Sequence, residues 1–355
     1  MRTMNSWRWA LGLALALTVT PAAEPQAREP AHATTASQLL VAFYVPWEPA
    51  ALASLKAHVG QIDVFSPMWA SLVSPKGEVR WEDDPEAHAV LAAAPRPPKV
   101  LPIVSNAHNE VWDAPAAEGV ILNAAATAAL GANLIRQAKV DRLAGVVVDF
   151  ENLTPRATAS YAAFLGRLRE QLRGAGLEVW TTTTLTHEDG LPDLAAVADA
   201  VVLMAYDQCW ASSTPGPIAG DAWLKANLAA KIAGGDPSRY IVALAGYGYD
   251  WPAGQRATVV SAPKAAGLAA ANRQPIEPLP NPHFSYQANS VRHEVWWLSG
   301  ADFARQRALA QATAVRGVAL WRMGLEDPAL WTAKPPPPLA GPAAGPTATC
   351  EPLKP

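Results

Sequence analysis

Asp149 and Glu151 are the residues best placed to do chemistry. They sit in the stretch LAGVVVDFENL, Leu143–Leu153. Side chains alternate across a β-strand, so Val147, Asp149 and Glu151 share one face and Val146, Val148 and Phe150 the other. The apolar run Val146–Val148 after Gly145 reads as a strand of a parallel sheet buried on both faces. Two carboxylates on one face at the C-terminal end of such a strand are poorly explained by packing, because burying an unpaired carboxylate is very unfavourable. One reading is a general acid with a helper carboxylate: burial beside a second carboxylate raises the acid's pKa and keeps it protonated near working pH. The other is a strand that ends at the surface and exposes both groups. Spacing alone leaves both open.

The elements that would position these groups follow from the rest of the chain. Eight candidate strands alternate with helical or Ala-rich stretches: Leu39–Val45, Ile62–Met68, Lys99–Val104, Gly145–Glu151, Glu178–Thr184, Ala200–Asp207, Tyr240–Tyr247 and Gly317–Met323. That alternation implies a parallel sheet with helical crossovers, and eight units imply an α/β fold of the closed (β/α)8 TIM-barrel type. The clearest helix is Pro155–Leu172, capped by Thr154, with Tyr161, Phe164, Leu165, Leu168 and Leu172 as its apolar stripe and Gly174 and Gly176 ending it. A second is Ala301–Thr313, opened by Ser299 or Asp302. The stretch Trp251–Leu298 is too long for one loop and reads as a small insertion after strand seven.

The chain has 355 residues, half of them hydrophobic, and a net charge of −3. Near-neutral charge argues against a nucleic-acid partner. Arg2 and Arg8 precede an apolar run, Ala10–Val19, and then small residues and prolines. This reads as a secretory signal peptide, assigned to residues 1–27, and the run is too short to span a membrane. The expected address is periplasmic or secreted, with no membrane span after cleavage. The barrel domain is expected over residues 38–333, followed by a flexible Pro-rich tail over 334–355. The two cysteines, Cys209 and Cys350, allow one bridge in an exported protein or two unpaired thiols. The seven histidines show no metal-ligand spacing. Neither a metal nor a cofactor is expected, and His187 and His293 read as loop or surface residues.

GVVVDFE resembles the strand-four signature of glycoside hydrolase family 18, the chitinase-like enzymes, whose fuller form is D-G-x-D-x-D-x-E. Six further segments resemble that family in the same order: AFYVPWEP (Ala42–Pro49), MAYDQCW (Met204–Trp210), PGPIA (Pro215–Ala219), YGYDW (Tyr247–Trp251), NPHFSY (Asn281–Tyr286) and ALWRMGLEDPALW (Ala319–Trp331). Together they most resemble the family 18-like domain fused to polysaccharide deacetylase and glycosyltransferase modules in bacteria, with the spore-cortex lytic branch more distant.

The resemblance implies a retaining glycosidase in which the substrate's own 2-acetamido group is the nucleophile, outside the usual two-carboxylate scheme. Glu151 would be the proton donor. Asp149 would hold the acetamido N–H and offset charge on the intermediate, Tyr206 would hydrogen-bond the acetamido oxygen, and Trp321 would form the floor under the scissile sugar. Asp207, Trp210 and Tyr44 complete the expected substrate contacts. Period-two counting turns Met204 and Tyr206 toward the barrel mouth and Asp207 away. Packing roles stand beside these: a core tyrosine for Tyr206, a loop cap for Asp207, plain packing for Trp321. Trp296 and Trp297 are further groove candidates.

The sequence departs from the family where Ala144 and Val147 replace the two earlier motif aspartates. Without a partner at position 147, Asp149 is expected to lean toward Glu151. The implied partner is a glycan containing N-acetylglucosamine (chitin-like, peptidoglycan or exopolysaccharide), acted on by a monomer. A glycan-binding barrel without turnover is the alternative.

Overall fold

A computed structural model describes residues 38–108, 111–186, 194–334 and 350–353. The expected signal peptide, His187 and most of the Pro-rich tail lie outside them. The eight expected strands are all present, each at or near its expected span: Leu39–Tyr44, Val64–Pro67, a third strand in two segments (Lys99–Val100 and Ile103–Ser105), Gly145–Asp149, Glu178–Thr184, Ala200–Met204, Tyr240–Ala245 and Gly317–Trp321. Successive strands pair in parallel, and the eighth pairs with both the seventh and the first. The third strand closes the ring. Leu101 N donates to Phe65 O on one side at 3.0 Å, and Val147 N donates to Pro102 O on the other at 2.9 Å. The sheet is a TIM barrel.

Its interior is filled by alternate residues: Val41 and Phe43, Val64, Leu101 and Ile103, Val147, Trp180, Ala200 and Val202, Ile241 and Ala243, and Ala319. These are the layers of inward side chains such a barrel needs in order to be a packed core rather than a pore. The opposite faces pack against the helices, of which Pro155–Arg173 is the longest. Thr154 caps it by accepting from Ala157 N at 3.2 Å, and its five expected apolar positions are all buried. Helix Gly300–Gln311 opens with a capping box between Ser299 and Asp302. Gly145 begins strand four because the chains meet closely there: a Cβ would lie 2.3 Å from the Glu178 carbonyl oxygen.

The insertion after strand seven starts earlier than the sequence suggests. Tyr247–Pro252 is already its first strand, in a four-stranded antiparallel sheet with Thr258–Ser261, His283–Ala288 and Val291–Trp297, backed by helix Ala262–Ala271. Trp296 and Trp297 are buried in it and do not line the cleft described below. His293 bonds Asp250 at 2.8 Å within this sheet, away from the carboxylates of strand four. The end of the tail is not free. Cys350 is bridged to Cys209, and Pro352 forms an antiparallel bridge with Ser213. No single helix among the described residues is long and apolar enough to cross a membrane.

Candidate active site

Strand four ends at Asp149, and Glu151 follows at the barrel mouth, where active sites of this fold lie. Asp149 is buried in line above Val147, which is fully enclosed between Ile103 and Trp180 of the flanking strands. Val147 offers Asp149 no partner from below, as expected, but a neighbouring strand supplies one. Thr182 of strand five donates to its Oδ1 at 2.6 Å. The partner comes from the side rather than from below, because Thr182 shares the inward face of its own strand with Trp180. Burial pushes the Asp149 carboxyl above its usual range, and the Thr182 bond acts against that push.

Glu151 is held through its backbone. Asn106, fully buried at the end of strand three, accepts from Glu151 N at 2.9 Å and donates to Glu151 O at 3.1 Å. Thus one side chain grips both peptide groups around the expected proton donor.

Glu151, Asp149, Thr182, Tyr206 and Trp321 line one small cavity of about 30 Å³ over the barrel core. It shares Glu151, Met204, Tyr206 and Trp321 with a larger cleft of about 550 Å³. The Tyr206 and Trp321 rings are nearly parallel, 6.3 Å apart, and Phe43 meets Trp321 edge-on at 5.5 Å. Burial and the charges of Asp149 and Glu151 push the Tyr206 hydroxyl well up, so it stays a neutral hydrogen-bond donor.

Asp207 also lines the cleft, although alternation assigned it to the far side. Strand six stops at Met204, so period two no longer applies, and Asp207 takes a left-handed conformation with φ of 57°. Its carboxylate accepts from the hydroxyls of Tyr247 and of Tyr249, the latter at 3.1 Å. Burial raises its pKa to about 6 against those two bonds. Trp210 lines the cleft as expected, joined by Trp112 and Trp223.

Tyr44 is the exception among the expected site residues. With Val41 and Phe43 inward, it points outward into the layer between sheet and helices, against Phe65 at 5.3 Å. Burial and the neighbouring Asp84 raise its hydroxyl pKa.

Sequence reading passed over Asn106, Thr182, Tyr247, Tyr249, Trp112 and Trp223. Thr182 had a visible signal, a run of four threonines ending an otherwise buried strand. Tyr247 and Tyr249 had one in the period-two spacing of YGYDW. Asn106 had none, since its role depends on strand three lying beside strand four.

No protein-family model matches the chain. The cortical fragment-lytic enzyme of Bacillus anthracis is 25% identical over 248 residues, covering 64% of this chain and 57% of that protein. Alignments with this and other curated relatives span between 47% and 74% of their lengths. Among solved structures, the chitinase from Chromobacterium violaceum matches with a TM-score of 0.76 and 23% identity, covering 83% of this chain and 97% of that one. The Bacillus cereus spore cortex-lytic enzyme SleL matches with a TM-score of 0.73 and 20% identity, covering 83% and 73%. These likenesses show that the chain shares the TIM-barrel fold of chitinases and spore cortex-lytic enzymes.

Proposed function

We propose that this protein is an exported glycoside hydrolase of the family 18 type, acting on a β-linked glycan that contains N-acetylglucosamine. The observation that carries this reading is the grouping of Glu151, Asp149, Tyr206 and Trp321 around one cavity at the floor of an aromatic-lined cleft. A sugar ring stacked on Trp321 would present its glycosidic oxygen to Glu151, which donates the proton as the bond breaks. The acetamido oxygen, held by the Tyr206 hydroxyl, attacks the anomeric carbon. Asp149 takes the acetamido N–H and offsets the positive charge of the bicyclic intermediate. Water then opens that intermediate with Glu151 as base, and the anomeric configuration is retained. Glycosylase and lytic-enzyme names among the relatives support the hydrolase class, and a Cys209–Cys350 bridge suits an oxidising compartment.

Glu151→Gln tests the assignment. The amide keeps the shape and removes the transferable proton, so hydrolysis of N-acetylglucosamine oligomers is expected to fall by about 10²–10⁴-fold with the fold intact. Wild-type activity in the variant would refute it. A second reading, a glycan-binding barrel without turnover, draws on Val147, whose apolar side chain replaces a motif aspartate under Asp149. That reading predicts oligomer binding by the wild type with no cleavage under any pH or substrate length.

A further inference from the structure

The loop after strand six, residues 205–214, carries Tyr206, Asp207 and Trp210 and has no regular structure of its own. It is held on three sides. Gln208 N and Cys209 N donate to the carbonyls of Ile218 and Pro217 at 2.9 and 3.0 Å, and Ala257 N of the insertion donates to Ala211 O at 2.8 Å. The third side is the segment Cys350–Leu353. Thr214 N donates to Glu351 O and Leu353 N to Ser212 O, each at 2.8 Å, and the Cys209–Cys350 bridge joins Cα atoms 5.2 Å apart. Cys209 is fully buried three residues after Tyr206, whereas Cys350 is half-buried and lines the cleft beside Trp210 and Trp223.

We propose that Cys350–Leu353, locked by the Cys209–Cys350 bridge, is a strap that forms part of the cleft wall and positions the strand-six loop for glycan binding. The inference rests on reading the cleft as a glycan site. Its physical basis is the contrast between the two ends of the loop. The start grows out of a barrel strand and stays in place. The far end, residues 212–214, gains its pairing from Glu351–Leu353, a short segment remote in sequence, and so few backbone bonds open readily unless something ties the segment down. Here a covalent bond spanning 141 residues does so. The bridge sits next to Gln208 and Trp210, so opening it releases cleft-lining side chains rather than a remote surface. Cys209 and Cys350 are thus positioning residues, acting through Trp210 and the loop and not on the reacting atoms.

The test uses the full chain with Glu151→Gln, which binds without turnover, titrated with the N-acetylglucosamine tetramer by calorimetry. It is examined oxidised, after dithiothreitol, and with Cys350→Ser added. Reduction moves two electrons and two protons from dithiothreitol, which closes to its cyclic disulfide, onto the protein sulfurs, leaving two thiols. Free-thiol counts establish that the bridge is open. Opening it is expected to weaken tetramer binding on the order of fivefold or more. Coupling between two sites is reciprocal, so saturating tetramer should make the bridge harder to reduce by the same factor. A bridge that merely supports the fold would not respond to glycan in this way. In the protein that retains Glu151, the same change should appear in KM, with kcat altered less than about twofold. Equal affinity with the bridge open and closed, or a reduction equilibrium indifferent to tetramer, overturns the strap alone. Absence of tetramer binding by the oxidised protein overturns the glycan reading and the strap with it. If Cys350→Ser does not fold, the dithiothreitol arm on the unsubstituted cysteines decides.

Discussion

Asn106 shows how much of the site depends on holding a backbone still. Its amide spans the two peptide groups of Glu151, and under the proposed function a carboxyl that meets a glycosidic oxygen tolerates little displacement. Asn106→Ala is expected to lower kcat about 10- to 100-fold with a smaller change in KM; steady-state kinetics on an acetylated oligomer would show it, and an unchanged kcat would dismiss the role. Asp207 carries a different signature. Its carboxyl titrates at about 6 in the folded protein against an ordinary value of 3.8, so the folded state binds the proton more tightly than the unfolded chain. The sign follows: the contribution to stability is complete below about pH 4 and is lost as pH rises through about 6. Denaturant unfolding across that window should show a fall that Asp207→Asn flattens. An equal slope in both proteins would assign the titration elsewhere.

At the scale of elements, the barrel divides its strands into a chemical end and a structural end. Strand five illustrates both. Thr182 at the mouth bonds Asp149, while Glu178 at the opposite end accepts from Trp180 Nε1 and from Arg316, each at 2.8 Å, with Lys99 at 3.3 Å. Arg316 also lies over the Trp180 ring, 5.0 Å from its centre. Burial pushes the Glu178 carboxyl up, but the bonds from Trp180 and Arg316 outweigh it and hold its pKa below the usual range. Glu178→Ala should cost about 1–3 kcal/mol of stability, judged by chemical denaturation, and leave KM in place because the cluster is at the far end from the cleft. Strand four poses the reverse case. Val147→Asp would complete one position of the motif that strand four resembles, but it buries a carboxylate between Ile103 and Trp180, directly under Asp149. A loss of about 3 kcal/mol or more is expected, with no gain in turnover. A more active variant of unchanged melting temperature would reveal a polar niche beneath Asp149.

For the whole molecule, the barrel and the segment around Cys350 line the cleft, and the insertion braces it from behind. Strands four, five and eight supply the carboxylates, Thr182 and Trp321. The insertion supplies Tyr247 and Tyr249, which fix Asp207, and the segment Cys350–Leu353 supplies Cys350. If the substrate's acetamido group is the nucleophile, a fully deacetylated sugar at the cleaved position should not react, and a thiazoline mimic of the bicyclic intermediate should inhibit. Comparable cleavage rates for acetylated and deacetylated oligomers would instead make Asp149 a direct nucleophile or base.

What the sequence determined by itself is what depends on local periodicity and residue type. Eight apolar strands alternating with helices pointed to the barrel, since a parallel sheet covered by helical crossovers closes on itself at eight β/α units. Period two within a strand put Val147 and Asp149 inside in one line. A Thr-Pro start and an apolar stripe were enough for helix Pro155–Arg173. Tertiary structure decided what lies beside what. Asn106 and Thr182 reach Glu151 and Asp149 only because strands three and five flank strand four. Tyr44 is excluded from the cleft because alternation turns it outward, a point obscured by the resemblance of AFYVPWEP to a known motif. Asp207 enters the cleft because the strand ends three residues before it and the backbone turns left-handed. Choice between two thiols and one bridge required folding the segment around Cys350 back onto the strand-six loop, 141 residues away in sequence, where short-range patterns carry no information.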